Sequence, residues 1–257
     1  MMRFKTFSLI ILLSFFACNT NNSNKEESSD EVSSSIKNNE TSLIIEQKVD
    51  TDIATFSADG ITLTEIKPNN NDKESSLTLT NTSFKEGINL LQFNIENNQN
   101  YNITTIQNNY TIATHSNTKI EQEFLSGNNV FLAFLSDDNN LGIKTNNATI
   151  LKNIILNDEA LFDEKQAHLF YYLPQNNIAI LDFCLVNTSL SENGNKVKVT
   201  INNTITLIID KWASYQIGGL TQNENTIRIE LIDKAGNLIP GPFNDSGERT
   251  FLLNQNS

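Results

Sequence analysis

The chain has 257 residues and carries 18 Lys+Arg against 30 Asp+Glu, a formal net charge of −12. That acidic balance argues against nucleic acid or an anionic lipid surface as partner. Two Cys and two His exclude a disulfide scaffold and most metal sites built on those residues, and no cofactor is implied.

Charged residues make up only 19%, so the polarity comes from neutral side chains, chiefly 40 Asn with Ser and Thr behind them. These residues favour turns, loops and strand surfaces over helix interiors. The N-terminus opens with Arg3 and Lys5, followed by an apolar stretch from Phe7 to Phe16. About ten residues is too short to span a bilayer as a helix and suits the core of a signal peptide. The stretch runs into Ser14-Phe15-Phe16-Ala17-Cys18. A small residue directly before a lone Cys, at the end of an apolar core, resembles a bacterial lipobox. The resemblance implies a signal peptide of residues 1–17 and lipid attachment at Cys18. Burial of acyl chains contributes roughly 0.8 kcal/mol per CH₂, and more than one chain gives a stable anchor. Cleavage there would leave 16 basic and 30 acidic side chains, a net charge of −14. The expected location is the outer membrane, with display at the cell surface as a further expectation.

Residues 18–50 read as a disordered tether. The run from Asn19 to Glu31 has no large apolar residue, so it cannot bury enough surface to offset its ordering entropy. Within it, Lys25-Glu26-Glu27 resembles the acidic export signals of surface lipoproteins in Bacteroidota. A solvated charge run is the alternative.

From about residue 54 the hydrophobic period is two. Leu91, Phe93 and Ile95 alternate with Gln92, Asn94 and Glu96, while Val197, Val199 and Ile201 alternate with Lys198, Thr200 and Asn202. Ile227, Ile229 and Leu231 repeat the pattern, as do Phe131, Ala133 and Leu135. Such segments predict half-buried or fully buried strands. Asn-rich steps between them, such as Gln107-Asn108-Asn109 and Asn202-Asn203-Thr204, predict tight hairpins, because Asn tolerates left-handed backbone angles. The best helix candidate, Asn157 to Gln166, is short and acidic and reads as a linker turn.

The strand pattern occurs twice. Leu90-Leu91-Gln92-Phe93 is matched by Ile180-Leu181-Asp182-Phe183, and the segment from Leu125 to Leu135 by that from Leu220 to Leu231. A steady offset of about 90–97 residues over several strands marks a duplicated unit. The prediction is all-β: two tandem immunoglobulin-like β-sandwiches, over 54–150 and 165–257, after a signal peptide and a disordered tether. The second unit carries Lys211-Trp212-Ala213-Ser214-Tyr215, Gly218-Gly219-Leu220 and Pro240-Gly241-Pro242-Phe243 beside Leu181-Asp182-Phe183-Cys184-Leu185. Together these resemble a family of flavobacterial lipoproteins with tandem immunoglobulin-like domains, often labelled phosphopeptide-binding. The first unit of that family often has a His-rich strand, whereas the matching strand here is Tyr101-Asn102-Ile103-Thr104.

Candidate chemistry is sparse. Phosphate recognition favours Arg forks, and the mature chain would have only Arg228 and Arg249, far apart in sequence. His115 and His168 are the general-base candidates of a hydrolase, without a visible nucleophile elbow or triad spacing, and both read as surface residues. Cys184 lies on the face opposite Leu181, Phe183 and Leu185 and reads as an unreactive packed thiol. Asp137 and Asp138 are weak calcium candidates, with a polar hairpin tip as the alternative. Trp212, Tyr215 and Phe243 are the candidate binding residues, since exposed aromatics anchor partners or stack on sugars. The function expected is non-catalytic binding or scaffolding at the cell envelope. The partners expected are the membrane, through the N-terminal lipid, and an envelope protein or a glycan. An accessory polysaccharide-binding role using the aromatics, or a hydrolase, is the alternative.

Overall fold

The computed structural model describes residues 53–67, 74–97, 101–172 and 179–253. The expected signal peptide, Cys18 and the tether of residues 18–50 lie outside them. All described residues belong to one compact unit, 49–257.

The described residues are all-β, with sixteen strands and no α-helix. Seven of the strands build the first sandwich. They are β3 (Ser76–Leu79), β4 (Gly87–Glu96), β5 (Asn102–Gln107), β6 (Thr111–His115), β7 (Lys119–Phe124), β8 (Gly127–Ser136) and β9 (Thr149–Leu156). One sheet has the order β3-β4-β7 and the other β6-β5-β8-β9, all antiparallel. The second sandwich uses β10 (His168–Tyr172), β11 (Ile180–Val186), β12 (Lys196–Ile201), β13 (Ile205–Ile209), β14 (Tyr215–Gly218), β15 (Glu224–Ile232) and β16 (Arg249–Leu252). Its sheets run β10-β11-β14 and β13-β12-β15-β16, the same order strand for strand. Both are immunoglobulin-like sandwiches of the three-plus-four kind.

Each core is filled by the period-two positions. Leu91, Phe93, Phe124, Phe131, Ala133 and Leu135 face one another in the first, and Phe183, Leu185, Val197, Val199, Ile229 and Leu231 in the second. The two Asn-Asn hairpins are equivalent. Asn108 and Asn109 have φ of 52° and 55°, and Asn202 and Asn203 have 50° and 61°. Two consecutive left-handed residues make the turn twist that suits a hairpin, and Asn reaches it at low cost. In both units the first of these Asn side chains accepts the N–H of the next strand over, Val130 in one and Thr226 in the other.

One part of the chain serves the other half. Residues Thr55–Ala58 (β1) and Ile61–Glu65 (β2) form a hairpin. The sequence alone assigns them to the first unit, 54–150. In the structure β2 pairs with β14, setting Leu63 opposite Ile217 and Thr64 opposite Gln216, so the sheet becomes β1-β2-β14-β11-β10. Ile61 and Leu63 are buried in the second core, and Phe56 meets the Tyr215 ring edge-on at 5.9 Å. The physical reason lies in β14. Its sequence, Tyr-Gln-Ile-Gly, has no charge to guard an open edge, and a covered edge removes that hazard. The fit is close: a Cβ on Gly218 would lie 2.6 Å from Thr62 Oγ1, and one on Gly219 would overlap the Gly60 carbonyl.

Candidate functional site

The aromatic candidates are committed to structure. Tyr215 is fully buried, and its hydroxyl donates to the Lys211 carbonyl at 2.6 Å. Trp212 is half-buried against the second core and donates its indole N–H to the Phe183 carbonyl at 3.0 Å. That carbonyl sits where β11 has run past the end of β14, so Trp212 stands in for a missing strand partner. Phe243 packs on Phe170 and Phe162 at ring distances of 5.2 and 5.8 Å. The expectation that these three offer faces to a ligand is corrected for Tyr215, which has no exposed surface. Asp137 caps its own turn: its carboxylate accepts the N–H groups of Asn139 and Leu141 at 2.9 and 2.8 Å. Asp233 makes the same two bonds, with Ala235 and Asn237, in the second unit. The repeat of one Asx-type turn explains Asp137 without a cation, and Asp138 takes no part in it. Among the described residues no group of three or more His, Cys, Asp or Glu is arranged to hold a metal.

The histidines are not brought together with a nucleophile. His115, half-buried on β6, lies 3.1 Å from Thr105 Oγ1 through Nε2. His168 is a correction to the reading of a surface histidine. It is buried at the start of β10, stacks on Phe162 at 4.4 Å and donates through Nε2 to the Asp163 carbonyl at 2.7 Å. Its Nδ1 is buried without a partner. Burial holds the His168 imidazole below its ordinary pKa, against the opposing pull of Asp163.

The most elaborate chemistry lies where the sandwiches meet. β8 is buried on both faces, because its inner face fills the first core and its outer face is covered by the second sandwich. Ile106, Val130, Leu132 and Phe134 from the first meet Phe170, Tyr172 and Cys184 from the second, with Phe162 of the linker. In the middle stands Asp182, with 0% of its surface exposed. Its Oδ1 accepts from Phe183 N at 2.9 Å, Ser214 Oγ at 3.0 Å and Lys144 Nζ. Its Oδ2 accepts from Gly142 N at 2.9 Å and Tyr172 Oη at 2.5 Å. Gly142 and Lys144 come from the β8–β9 connection of the first sandwich, so the carboxylate ties the two together. A buried charge is tolerated when it is paired and its lone pairs are filled, as here. Gly142 is closely covered, since a Cβ there would lie 3.0 Å from both Phe134 and the Tyr172 hydroxyl and would press on both. The Tyr172 hydroxyl is held well above its usual pKa by burial first and then by Asp182. Burial pushes the Cys184 thiol up to about 12, the state of an inert packed residue.

Sequence reasoning placed Cys184 on the outward face correctly but passed over Asp182 on the same face. The available signal was an acid inside an otherwise apolar strand, two residues from a Cys that faces away from the core.

The linker between β9 and β10 is docked, not free. Asn128 Oδ1 accepts Leu161 N at 2.9 Å, Asn153 Nδ2 donates to the Phe162 carbonyl at 3.2 Å, and Glu164 Oε2 accepts Asn153 N at 2.9 Å. Beside it a cleft of about 540 Å³ opens between β9 and the end of β11.

No protein-family model matches the chain, and no curated protein does. Among solved structures, fibronectin(III)-like modules of CbhA from Clostridium thermocellum are similar at a TM-score of 0.24 and 8% identity, covering 69% of this chain and 94% of theirs.

Proposed function

We propose that this is a lipid-anchored protein of the cell envelope, at the outer membrane, with a non-catalytic binding or scaffolding role. The anchor reading rests on Ala17-Cys18 at the end of the apolar stretch from Phe7 to Phe16, followed by a polar segment. The binding reading is supported by two sandwiches joined through a buried, fully satisfied carboxylate. Such a joint gives a body of fixed geometry, which suits presenting a surface and not closing on a substrate. The glycan reading through Trp212 and Tyr215 is not favoured, because Tyr215 is buried and the Trp212 N–H is already taken.

The test has two arms. Metabolic labelling with an alkyne fatty acid should mark the wild-type chain and not Cys18→Ala, and the variant should leave the membrane fraction. A labelled Cys18→Ala chain would sink the anchor. Cross-linking of the intact envelope should then trap a stable partner. A substrate turned over by the wild type and not by His168→Ala or His115→Ala would replace binding with catalysis.

A further inference from the structure

One strand position is filled in the second sandwich and not in the first. In the second, β14 takes β2 as its outer neighbour, with Ser214, Gln216 and Gly218 bonded to the side where Ile66, Thr64 and Thr62 stand. Ile120 lies opposite Leu91 as Tyr215 lies opposite Leu181, so the equivalents in β7 are Lys119, Glu121 and Glu123. Phe93 N donates to the Thr118 carbonyl at 2.8 Å. Ladder bonds alternate along an antiparallel strand, so Thr118, Ile120 and Gln122 turn their main-chain groups to β4. Lys119, Glu121 and Glu123 turn theirs outward. Among the described residues the one bond these outward groups make is from Gln122 Nε2 to the Glu123 carbonyl, at 3.2 Å.

The space beyond the edge differs in the same way. In the second sandwich β1 follows β2 and lies against β13, where Leu207 and Ile209 are buried. Pairing with β5 and β12 makes Ala113 and His115 of β6 their equivalents, and both are only half-buried. Gln122 is half-buried too and donates to Gln107 at 2.7 Å, while His115 meets Thr105 at 3.1 Å. Where the second unit inserts an apolar hairpin, the first keeps a polar lining beside an unpaired edge.

Charge indicates what fits there. The Glu121 and Glu123 side chains are exposed, and neither is in an ion pair among the described residues, in a chain of net charge −12. The β1–β2 hairpin of a second copy does not suit the place. Thr62 needs the room that Gly218 leaves, and Glu123 is the equivalent residue. We infer that β7 is completed by an extended segment of a partner protein, an antiparallel strand with Lys or Arg opposite Glu121 and Glu123 and small polar side chains toward Gln122 and His115. In such strand addition the main-chain bonds supply affinity and the alternate side chains select the partner. The charges that guard the edge against indiscriminate pairing then set the sign of the strand it accepts. The inference rests on the binding role proposed above and names the chemistry of its partner.

The test titrates the purified full chain in detergent with acetyl-Thr-Lys-Thr-Lys-Thr-Glu-Thr-amide. Running antiparallel to β7, this peptide sets its lysines opposite Glu123 and Glu121 and its Glu opposite Lys119. Saturable binding with Kd below about 1 mM is expected, and hydrogen exchange should slow at the amides of Lys119, Glu121 and Glu123. Two N-methylated peptides separate strand pairing from charge alone. Methyl groups on the Lys and Glu nitrogens, which face β7, should abolish binding, whereas methyl groups on the Thr nitrogens, which face away, should change it less than about threefold. Glu121→Lys combined with Glu123→Lys should weaken the unmodified peptide about tenfold, through two lost cross-strand charge pairs. Glu121→Pro removes an N–H that β4 does not use, at an edge where proline is tolerated. It should abolish binding at an unchanged melting temperature, and the double charge reversal decides if that variant does not fold. No saturation, indifference to which nitrogens are methylated, or equal affinity for the charge-inverted peptide acetyl-Thr-Glu-Thr-Glu-Thr-Lys-Thr-amide overturns the proposal. So does a dimer of the free chain that Glu121→Pro dissolves, which would make a second copy the occupant. The titration needs neither membrane attachment nor the native partner, so its failure is distinct from a failure of the Cys18 labelling or of the envelope cross-linking.

Discussion

The two sandwiches share strand order, hairpin turns and an Asx-capped turn, and they differ in what they do with their edges and outer faces. In the first, the edge strand β7 has no second strand partner among the described residues and carries Lys119, Glu121 and Glu123. In the second, the equivalent β14 carries no charge and is covered by the β1–β2 hairpin. One edge is guarded by charge and the other by a borrowed strand, two solutions to the same hazard. The outer faces differ likewise. Leu132 and Phe134 of β8 are buried at the joint, and the residues at the equivalent places in β15 are Arg228 and Glu230, which join Lys198 and Asp245 in ion pairs. A duplicated unit that kept Leu and Phe there would offer a second apolar face to another sandwich. The charged version gives this face no apolar surface of that kind.

The largest test of this asymmetry is Asp182→Ala. Its counterpart on β4, Gln92, faces solvent and is exposed. Removing the Asp182 carboxylate strands Lys144, Tyr172, Ser214 and the Gly142 N–H in a buried joint. A cost of about 3–5 kcal/mol is expected from breaking a buried pair, read by urea unfolding, whereas Gln92→Ala should stay within about 0.5 kcal/mol. The buried Cys184 thiol supplies a second readout. It should be unreactive to a thiol reagent in the wild type and labelled in Asp182→Ala, because the joint is what covers it. Equal stability of both variants, with Cys184 still protected, would mean that apolar packing alone holds the joint.

Next in size is Leu63→Ala. Although Leu63 precedes the first sandwich in sequence, its side chain has 0% exposure in the second core. A loss of about 2–5 kcal/mol is expected. Hydrogen exchange should show it in β14 and β11 and leave β4, β5 and β8 protected. Exchange rising first in the first sandwich would contradict the hairpin's placement.

A smaller pair of substitutions compares equivalent asparagines. Asn129, at the start of β8, accepts from Leu125 N and Gln107 Nε2 and donates to the carbonyls of Leu125 and Ile154. Asn225, its counterpart in β15, accepts from Asn202 Nδ2 and donates to the Gln222 carbonyl. Each change to Ala leaves buried groups unsatisfied and should cost about 1–3 kcal/mol. Asn129→Ala is expected to cost more, because more partners lose their bond. Thermal unfolding of the two variants measures the difference, and the reverse order would show that the bonds are not equivalent in strength.

Much of this was legible in the residues. Alternation at Leu91-Phe93 and Val197-Val199 gave strands and their inward faces, and paired Asn gave the hairpins, because both depend on neighbours in sequence. The double run Phe131-Leu132-Ala133-Phe134-Leu135 signalled a strand buried on both sides, though not by what. The partner of the β1–β2 hairpin was not legible, since strand pairing at that distance depends on which edge lacks protection. Nor was the burial of Tyr215 and His168: an aromatic or imidazole reads the same at a surface and beneath a docked linker. Asp182 was the readable omission, and its role needed Lys144 and Gly142 to be seen beside it.

The smallest expected effect comes from His168, which has no histidine counterpart in the first sandwich. Its folded-state pKa is lowered by burial, with Phe162 stacked on it, Phe170 beside it and Asp163 the charged group that faces it. The unfolded chain therefore binds a proton more readily than the native one. By linkage, stability is fully present above the unfolded pKa of about 6.5 and falls as the pH drops below it. The wild-type urea midpoint should decrease between about pH 7.5 and about pH 5.5. His115 is lowered by burial too, so the slope has two sources. His168→Gln, which keeps an N–H for the Asp163 carbonyl, should remove part of that slope and little of the stability at the higher pH. An unchanged slope would assign the whole effect to His115 and the carboxylates, and would leave the unpartnered Nδ1 without a titration.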